Sequence, residues 1–371
     1  MYQVTYTVEN EAQLEKTAEI VRSLPQYRQR HAGFVLASTM GMPATVYRTV
    51  NDMLWKAFPG LPAAAISQCA SGEMPMRREM RLSFFFFEKS EVSVTEYDLH
   101  GGDERTALQE IREHLGGIDD LKCVILLMAG AYLPVSRYVK KINAGLHDVP
   151  LVGGIAGVRE DDETRHSSFV CGRNVHNTGA VVIGLSGSEL CVDEEYCLGF
   201  RPLGKEMPVQ KRKTQQTGMA GDCDIQTIDG HPAVEAYIRY LKAYPNADFL
   251  KNICGFPLML ERDGMLIART PLRMLPNGDL HFIGDIRSGD TVQFGYSTVE
   301  SLLQKSWETA QQVLTLEPEA GLVIECGDRA ALLGKRYGSE IRICQDVSCR
   351  ISSICRCRPA SAATEGRTAA L

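Results

Sequence analysis

Apolar residues recur along the first half of the chain at two alternating spacings, which predicts strands and helices in turn. Asn10 followed by Gln13 forms a capping box and opens a helix with Leu14, Ala18 and Val21 on one face. Residues 33–39 read as a strand. Val46, Val50, Met53, Leu54 and Ala57 make the stripe of a second helix. Strands are expected at 62–66 and 81–87, the latter rich in phenylalanine. Asp103 caps a helix carrying Ala107, Leu108, Ile111 and Leu115. The unbroken apolar run 122–128 predicts a buried strand. Val135, Tyr138, Val139, Ile142 and Leu146 form another stripe, which feeds residues 150–157. Strand, helix and strand in that order predict a βαβ crossover.

Residues 159–168 are charged and polar and read as a solvated loop, and 179–185 as a strand. The pattern fades over 207–221, which are basic, polar and aperiodic. A domain junction is placed just before them. The second part opens a helix at Pro232 with Ala233, Ala236, Tyr237, Tyr240 and Leu241 on one face. Hairpin turns follow at Asp263-Gly264 and Asn277-Gly278. Ser297 and Glu300 form a capping box before Leu302, Leu303, Ala310 and Val313. Residues 322–326 are the last strand expected. After Glu340 no apolar period remains, and residues 341–371 are expected to form an unstructured tail. The reading is therefore α+β, a two-part module of mixed β-sheets with packed helices: 1–205, 206–340, then the tail.

Composition narrows the function class. A chain of 371 residues with 44% hydrophobic and 23% charged residues is globular and large enough for two cores. A net charge of -6 argues against general nucleic-acid binding. The first residues carry no basic and apolar leader pattern, and no apolar run is long enough to cross a membrane. A cytoplasmic location and reduced thiols are therefore expected for the 12 cysteines. Cys344, Cys349, Cys355 and Cys357 cluster near the end, but their spacing lacks the paired C-x₂-C knuckles of a zinc site, and no metal is expected.

The stretch Pro150-Leu151-Val152-Gly153-Gly154-Ile155-Ala156-Gly157 carries the most chemistry. It reads as an apolar strand running into a glycine turn, where backbone N–H groups approach whatever sits above. The order GGxxG is not a dinucleotide fingerprint, and no P-loop lysine follows. A second strand ends in small residues at Cys69-Ala70-Ser71-Gly72-Glu73. Gly101-Gly102-Asp103-Glu104 is read as a turn and helix cap, since a helix rather than a hairpin follows. No G-x-S-x-G elbow and no H-E-x-x-H pair occurs.

These two stretches are followed, in order, by Leu198-Gly199-Phe200-Arg201-Pro202, Ile228-Asp229-Gly230-His231-Pro232-Ala233, Asn277-Gly278-Asp279, Gly289-Asp290-Thr291-Val292 and Glu325-Cys326-Gly327-Asp328-Arg329. In this order and spacing they resemble the FIST sensory domain, with its N-terminal and C-terminal parts, over about residues 30–340. The resemblance implies a module that senses a small ligand, an amino acid among the candidates. It would signal to a partner such as a diguanylate cyclase or histidine kinase, and would not be an enzyme. Ligand-binding residues expected on this basis are Cys69, Ser71, Gly72, Gly153, Gly154, Gly157, Arg201, Cys326 and Arg329.

Arg329 could pair an anionic group bidentately. Phe200 stands where the family usually has an indole. A sister group resembles haem-based nitric oxide sensors, which makes His166 and His176 candidate axial ligands. A hydrolase or transferase using Cys326 or Ser71 is the alternative from another class. The family continues past Glu340 with further strands. The different composition here reads as a replaced or frame-shifted end.

Overall fold

The computed structural model describes residues 1–40, 44–68, 79–100, 104–130, 133, 135–156, 168–212, 224–262, 264–282, 284, 286–347 and 351–356. The chain opens with β1 (Tyr2–Val8), α1 (Glu11–Ser23), α2 (Pro25–Gln29), β2 (Ala32–Met40), α3 (Ala44–Ala57), β3 (Ala63–Gln68) and β4 (Glu79–Phe87). It continues with β5 (Glu91–Asp98), α4 (Glu104–Gly116), β6 (Leu121–Ala129), α5 (Val135–Asn143) and β7 (Leu151–Ile155). Two short strands, β8 (Val170–Cys171) and β9 (Val175–His176), precede β10 (Gly179–Ser186). These elements build two sheets, ordered β1-β4-β2-β3-β8-β9 and β5-β10-β6-β7.

The two sheets pack face to face, and each carries helices on its outer face. Phe34, Leu36, Ala64, Phe85 and Phe87 of the first meet Ile125, Leu127, Val181 and Ile183 of the second. Outside the first sheet lie α1 and α3, with Leu14, Val21, Tyr47 and Leu54 against Leu82, Phe84 and Phe86. Outside the second lie α4 and α5, with Ile111, Leu115, Tyr138 and Ile142 against Val124, Leu126 and Val182. This layering explains the four consecutive phenylalanines of β4. Alternate side chains leave opposite faces of a strand. Phe84 and Phe86 enter the helix layer, while Phe85 and Phe87 enter the sheet interface.

Local signals set the elements much as the pattern predicts. Asn10 caps α1 by accepting from the Gln13 N–H at 3.0 Å, and Gln13 accepts from Glu9 N–H at 2.7 Å. β6, α5 and β7 form the expected parallel crossover, and β2, α3 and β3 form another. Three details differ. Val46 is exposed because α3 turns Tyr47, Val50, Asn51 and Leu54 inward. Tyr240 is also exposed, and its hydroxyl donates to Asp229. The cap of α8 (Val299–Leu314) is Thr298, whose hydroxyl accepts from Ser301 N–H, while Ser297 donates to Gly199 O at 2.7 Å.

The third sheet contains β11 (Arg201–Lys211), β12 (Asp224–Ile228) and β13 (His231–Pro232), then, after α6 (Ala233–Leu241) and α7 (Phe249–Ile253), the strands that follow them. Those are β14 (Leu258–Arg262), β15 (Met265–Arg269), β16 (Pro271–Met274), β17 (Leu280–Phe282) and β18 (Thr291–Tyr296). Their order is β15-β14-β18-β11-β12-β17-β16, with β13 against β12. One face buries Met207, Val209, Ile228 and Phe294 against Tyr237 and Phe249 of the two helices. β11 runs through the junction expected between 205 and 206, and Met207 and Val209, in the stretch read as aperiodic, are core residues. The change of sheet falls in the extended segment 187–200.

The last elements are α8, β19 (Gly321–Glu325), α9 (Gly327–Leu333), a 3₁₀ turn at Gly334–Arg336, α10 (Tyr337–Val347) and β20 (Ile351–Arg356). This corrects the expected unstructured tail over residues 341–347 and 351–356. α10 continues past Glu340 with Ile343 against Leu302 and Leu333, and β20 pairs in parallel with β19. The apolar period is missed because α10 is short and one-sided. One edge of β19 is thus paired by β20. Residues 348–350 and 357–371, with Cys349 and Cys357, lie outside the described residues.

Candidate functional site

The chain returns to its beginning after α8. Gln3 of β1 donates through Nε2 to Gly321 O at 3.1 Å and accepts from Gly321 N–H at 2.9 Å. The Met1 amino group lies 2.7 Å from Glu319. Ala320 and Leu322 then pack against the interface between the first two sheets. There the interface is incompletely filled, and a cavity of about 650 Å³ remains.

Three walls bound this cavity. Phe34, Phe85, Phe87, Ile125, Val152 and Leu185 from the two sheets form an apolar floor. Residues 189–195 of the connecting segment form a second wall, and Val313 with residues 316–322 and Ile324 form the third. The cavity therefore lies where the sandwich, the connector and the C-terminal elements meet, a place where ligand sites concentrate. Cys123 also lines it, and burial, followed by the charge of Glu194, pushes its thiol up to about 12. Its thiolate is thus disfavoured at neutral pH.

The connector is fastened at its other end by Arg329. This side chain is 9% exposed. Its Nε donates to Glu340 Oε1 at 2.7 Å and Nη1 to Leu198 O at 3.0 Å. Nη2 donates to Leu302 O and Ser306 Oγ, both at 2.8 Å. One guanidinium thus ties the connector to α8, α9 and α10. Tyr196, two residues before Leu198 in the connector, has its hydroxyl pushed up to about 12 by burial.

Of the residues expected to bind a ligand, the described ones lie on three different elements: Gly153 and Gly154 on β7, Arg201 on β11, and Cys326 with Arg329 at α9. Cys69, Ser71, Gly72 and Gly157 lie outside the described residues. Gly153 and Gly154 are inside β7, opposite Leu126 and Leu127 of β6, rather than in a turn beyond it. A Cβ on Gly153 would sit 1.8 Å from Leu126 O, so the glycine serves close strand approach. Arg201 is exposed on β11 opposite Tyr296. Cys326 precedes α9, close enough to Arg329 and Tyr196 to act on both electrostatically. Arg329 spends its donors on protein acceptors and does not line the cavity. Sequence reasoning missed residues 189–195, which have no period and no motif. Their run of acidic residues between apolar ones was the one available signal.

The residues lining the cavity do not fit a histidine-held haem, because no histidine is among them. His166 lies outside the described residues. His176 instead stands 3.6 Å from Glu96, at the edge where β8 and β9 meet β5. Glu96 also accepts from Gly172 N–H at 3.1 Å and Asn174 N–H at 2.9 Å. Among the described residues no group of three metal-ligating side chains occurs.

Burial alone would push the Glu96 carboxyl up, but its contacts with His176 and Asn174 outweigh that and hold it at about 2, below its ordinary 4.5. A carboxylate with a depressed folded value contributes stability that is full above the unfolded value and is lost as pH falls toward the folded one. Wild-type stability in urea should therefore fall between pH 4.5 and about 2. Glu96→Gln should be less stable at pH 7 and show a shallower fall over that window. Identical slopes for the two proteins would contradict the assignment.

Among the described residues no helix is long and apolar enough to cross a membrane. No curated protein gives a significant match to the chain. Two family models match: one described as FIST N domain over residues 31–230, and one described as FIST C domain over residues 233–355. The second match runs past Glu340, so the family pattern is not broken there as the composition of the end implied.

Proposed function

The chain belongs to the FIST family of sensory domains, and from that premise we propose that it is a ligand-sensing module whose ligand occupies the cavity between the sandwich and the C-terminal elements. The observation that carries this reading is the origin of the walls. A ligand there touches both sheets, the connector and the α8–β19 turn at once. Its contacts can favour one placement of the connector over another, and differential contact is what shifts a conformational equilibrium. Arg329 passes that placement on, because Leu198 lies three residues after Glu195 and is bound to the guanidinium that also holds α8 and α10.

The output is read by a partner protein inside the cell, a diguanylate cyclase or histidine kinase being the classes the family resemblance brings forward. The role is binding and signalling rather than catalysis. Neither the hydrolase reading nor haem binding has an observation in its favour. A thermal-shift screen against amino acids, amines, nucleotides and haem tests the proposal. A ligand at about 100 times its Kd raises stability by about 2.7 kcal/mol. The shift should disappear in Val152→Trp, which fills the floor. A shift that survives this substitution puts the ligand elsewhere and overturns the reading.

A further inference from the structure

We infer that the cavity takes an amine with an apolar body, bound as its ammonium ion. This rests on the reading of the cavity as the ligand site and adds the ligand's chemistry. Six carboxylates line the cavity: Glu189, Asp193, Glu194, Glu195, Glu317 and Glu319, with both Glu194 oxygens buried. No lysine, arginine or histidine side chain lines the cavity. Glu189 is taken by Lys89 at 2.7 Å, and Glu319 by the Met1 amino group. Asp193, Glu195 and Glu317 form no ion pair with a described residue. Negative potential is focused where low-dielectric walls enclose it, and the Cys123 thiol on the floor registers the charge of Glu194.

The floor itself is apolar, so it rewards burial of a hydrocarbon or aromatic body. Its one buried polar group is the Cys123 thiol. That residue is 3% exposed, and its sulfur makes no hydrogen bond among the described residues. A soft sulfur of this kind suits the edge of a ring. A volume of about 650 Å³ admits a ligand of ordinary small-molecule size. An amino acid fits less well than the corresponding amine. Its ammonium would find carboxylates, but the one cation in the lining, the Met1 amino group, is already held by Glu319 at 2.7 Å, so its own carboxylate would chiefly meet the other acidic side chains. Primary aliphatic amines titrate near the lysine value, about 10.4, and enter as cations at neutral pH.

The test compares three probes of one shape on the full chain by calorimetric titration: 2-phenylethylamine, phenylalanine and 2-phenylethanol. The amine should bind at least tenfold more tightly than either of the others. In Glu194→Gln/Glu195→Gln that advantage should shrink at least tenfold, with the alcohol unchanged. Val152→Trp should remove binding of the amine. Phenylalanine or the alcohol binding as tightly as the amine would overturn the amine assignment and leave the cavity as a ligand site. Amine binding that persists in Val152→Trp would overturn both. If none of the three probes binds the wild-type chain, the cavity reading itself fails.

Discussion

Arg329→Met is expected to cost about 3–5 kcal/mol of folding stability, read as a lowered urea midpoint. The size follows from what the substitution leaves behind. Glu340 is 4% exposed, and its carboxylate loses the only cation that the described residues place against it. The carbonyls of Leu198 and Leu302 lose their guanidinium donor at the same time. A buried charge stripped of its partner is costly because the pair was desolvated together. Removing both partners should therefore be milder than the sum of the two losses. Arg329→Met/Glu340→Met is expected to be more stable than Arg329→Met alone, and additive losses would show that the pair is not coupled. Arg329→Lys keeps the charge but loses the planar fork, and one ammonium cannot reach Glu340, Leu198 O and Leu302 O together. It should lie between wild type and Arg329→Met. If the connector carries the signal, Arg329→Lys should also weaken the response to ligand while leaving the floor of the cavity intact.

How much of this was legible in the sequence depended on whether the cause was local. Capping at Asn10, the stripe of Val135, Tyr138 and Val139, and the crossover into residue 151 are set by neighbours along the chain, and the pattern shows them. The stacking of two sheets is not local. Four phenylalanines in β4 signal a strand, but only the packed structure shows two covered faces. The register of β11 is also set from afar, by β18 and β12, with a shift between Leu203 and Met207 that hides its period. α10 was missed for a related reason. Its Glu340 is polar in sequence but sits in the core because Arg329 meets it there. The candidate site was least legible of all. Its walls come from residues near 34, 85, 125, 152, 190 and 320, and no spacing rule connects them.

The glycine pair in β7 offers the clearest separation of a structural cause from a functional one. Gly153→Ala should destabilise the protein on the order of 4 kcal/mol or more, at the extreme of single substitutions. A new Cβ would meet Leu126 O at 1.8 Å, its carbonyl carbon at 2.7 Å and Leu126 N at 3.0 Å. All three are backbone atoms of the paired strand, so no side chain can swing aside to relieve the contact. The ladder must part instead, although it is held on both sides of the glycine. Val124 N–H donates to Pro150 O at 2.9 Å and Ala156 N–H to Met128 O at 2.7 Å. Parting it would also move Val152, whose side chain is part of the cavity floor. Gly116→Ala is the control. Gly116 ends α4 with open space around it, and alanine there should stabilise by up to about 1 kcal/mol. If the glycines of β7 instead cradled a ligand, Gly153→Ala would lower affinity and leave the melting temperature where it was. A melting temperature that collapses for Gly153→Ala and rises slightly for Gly116→Ala assigns Gly153 to strand pairing. An unchanged one would return the ligand to β7.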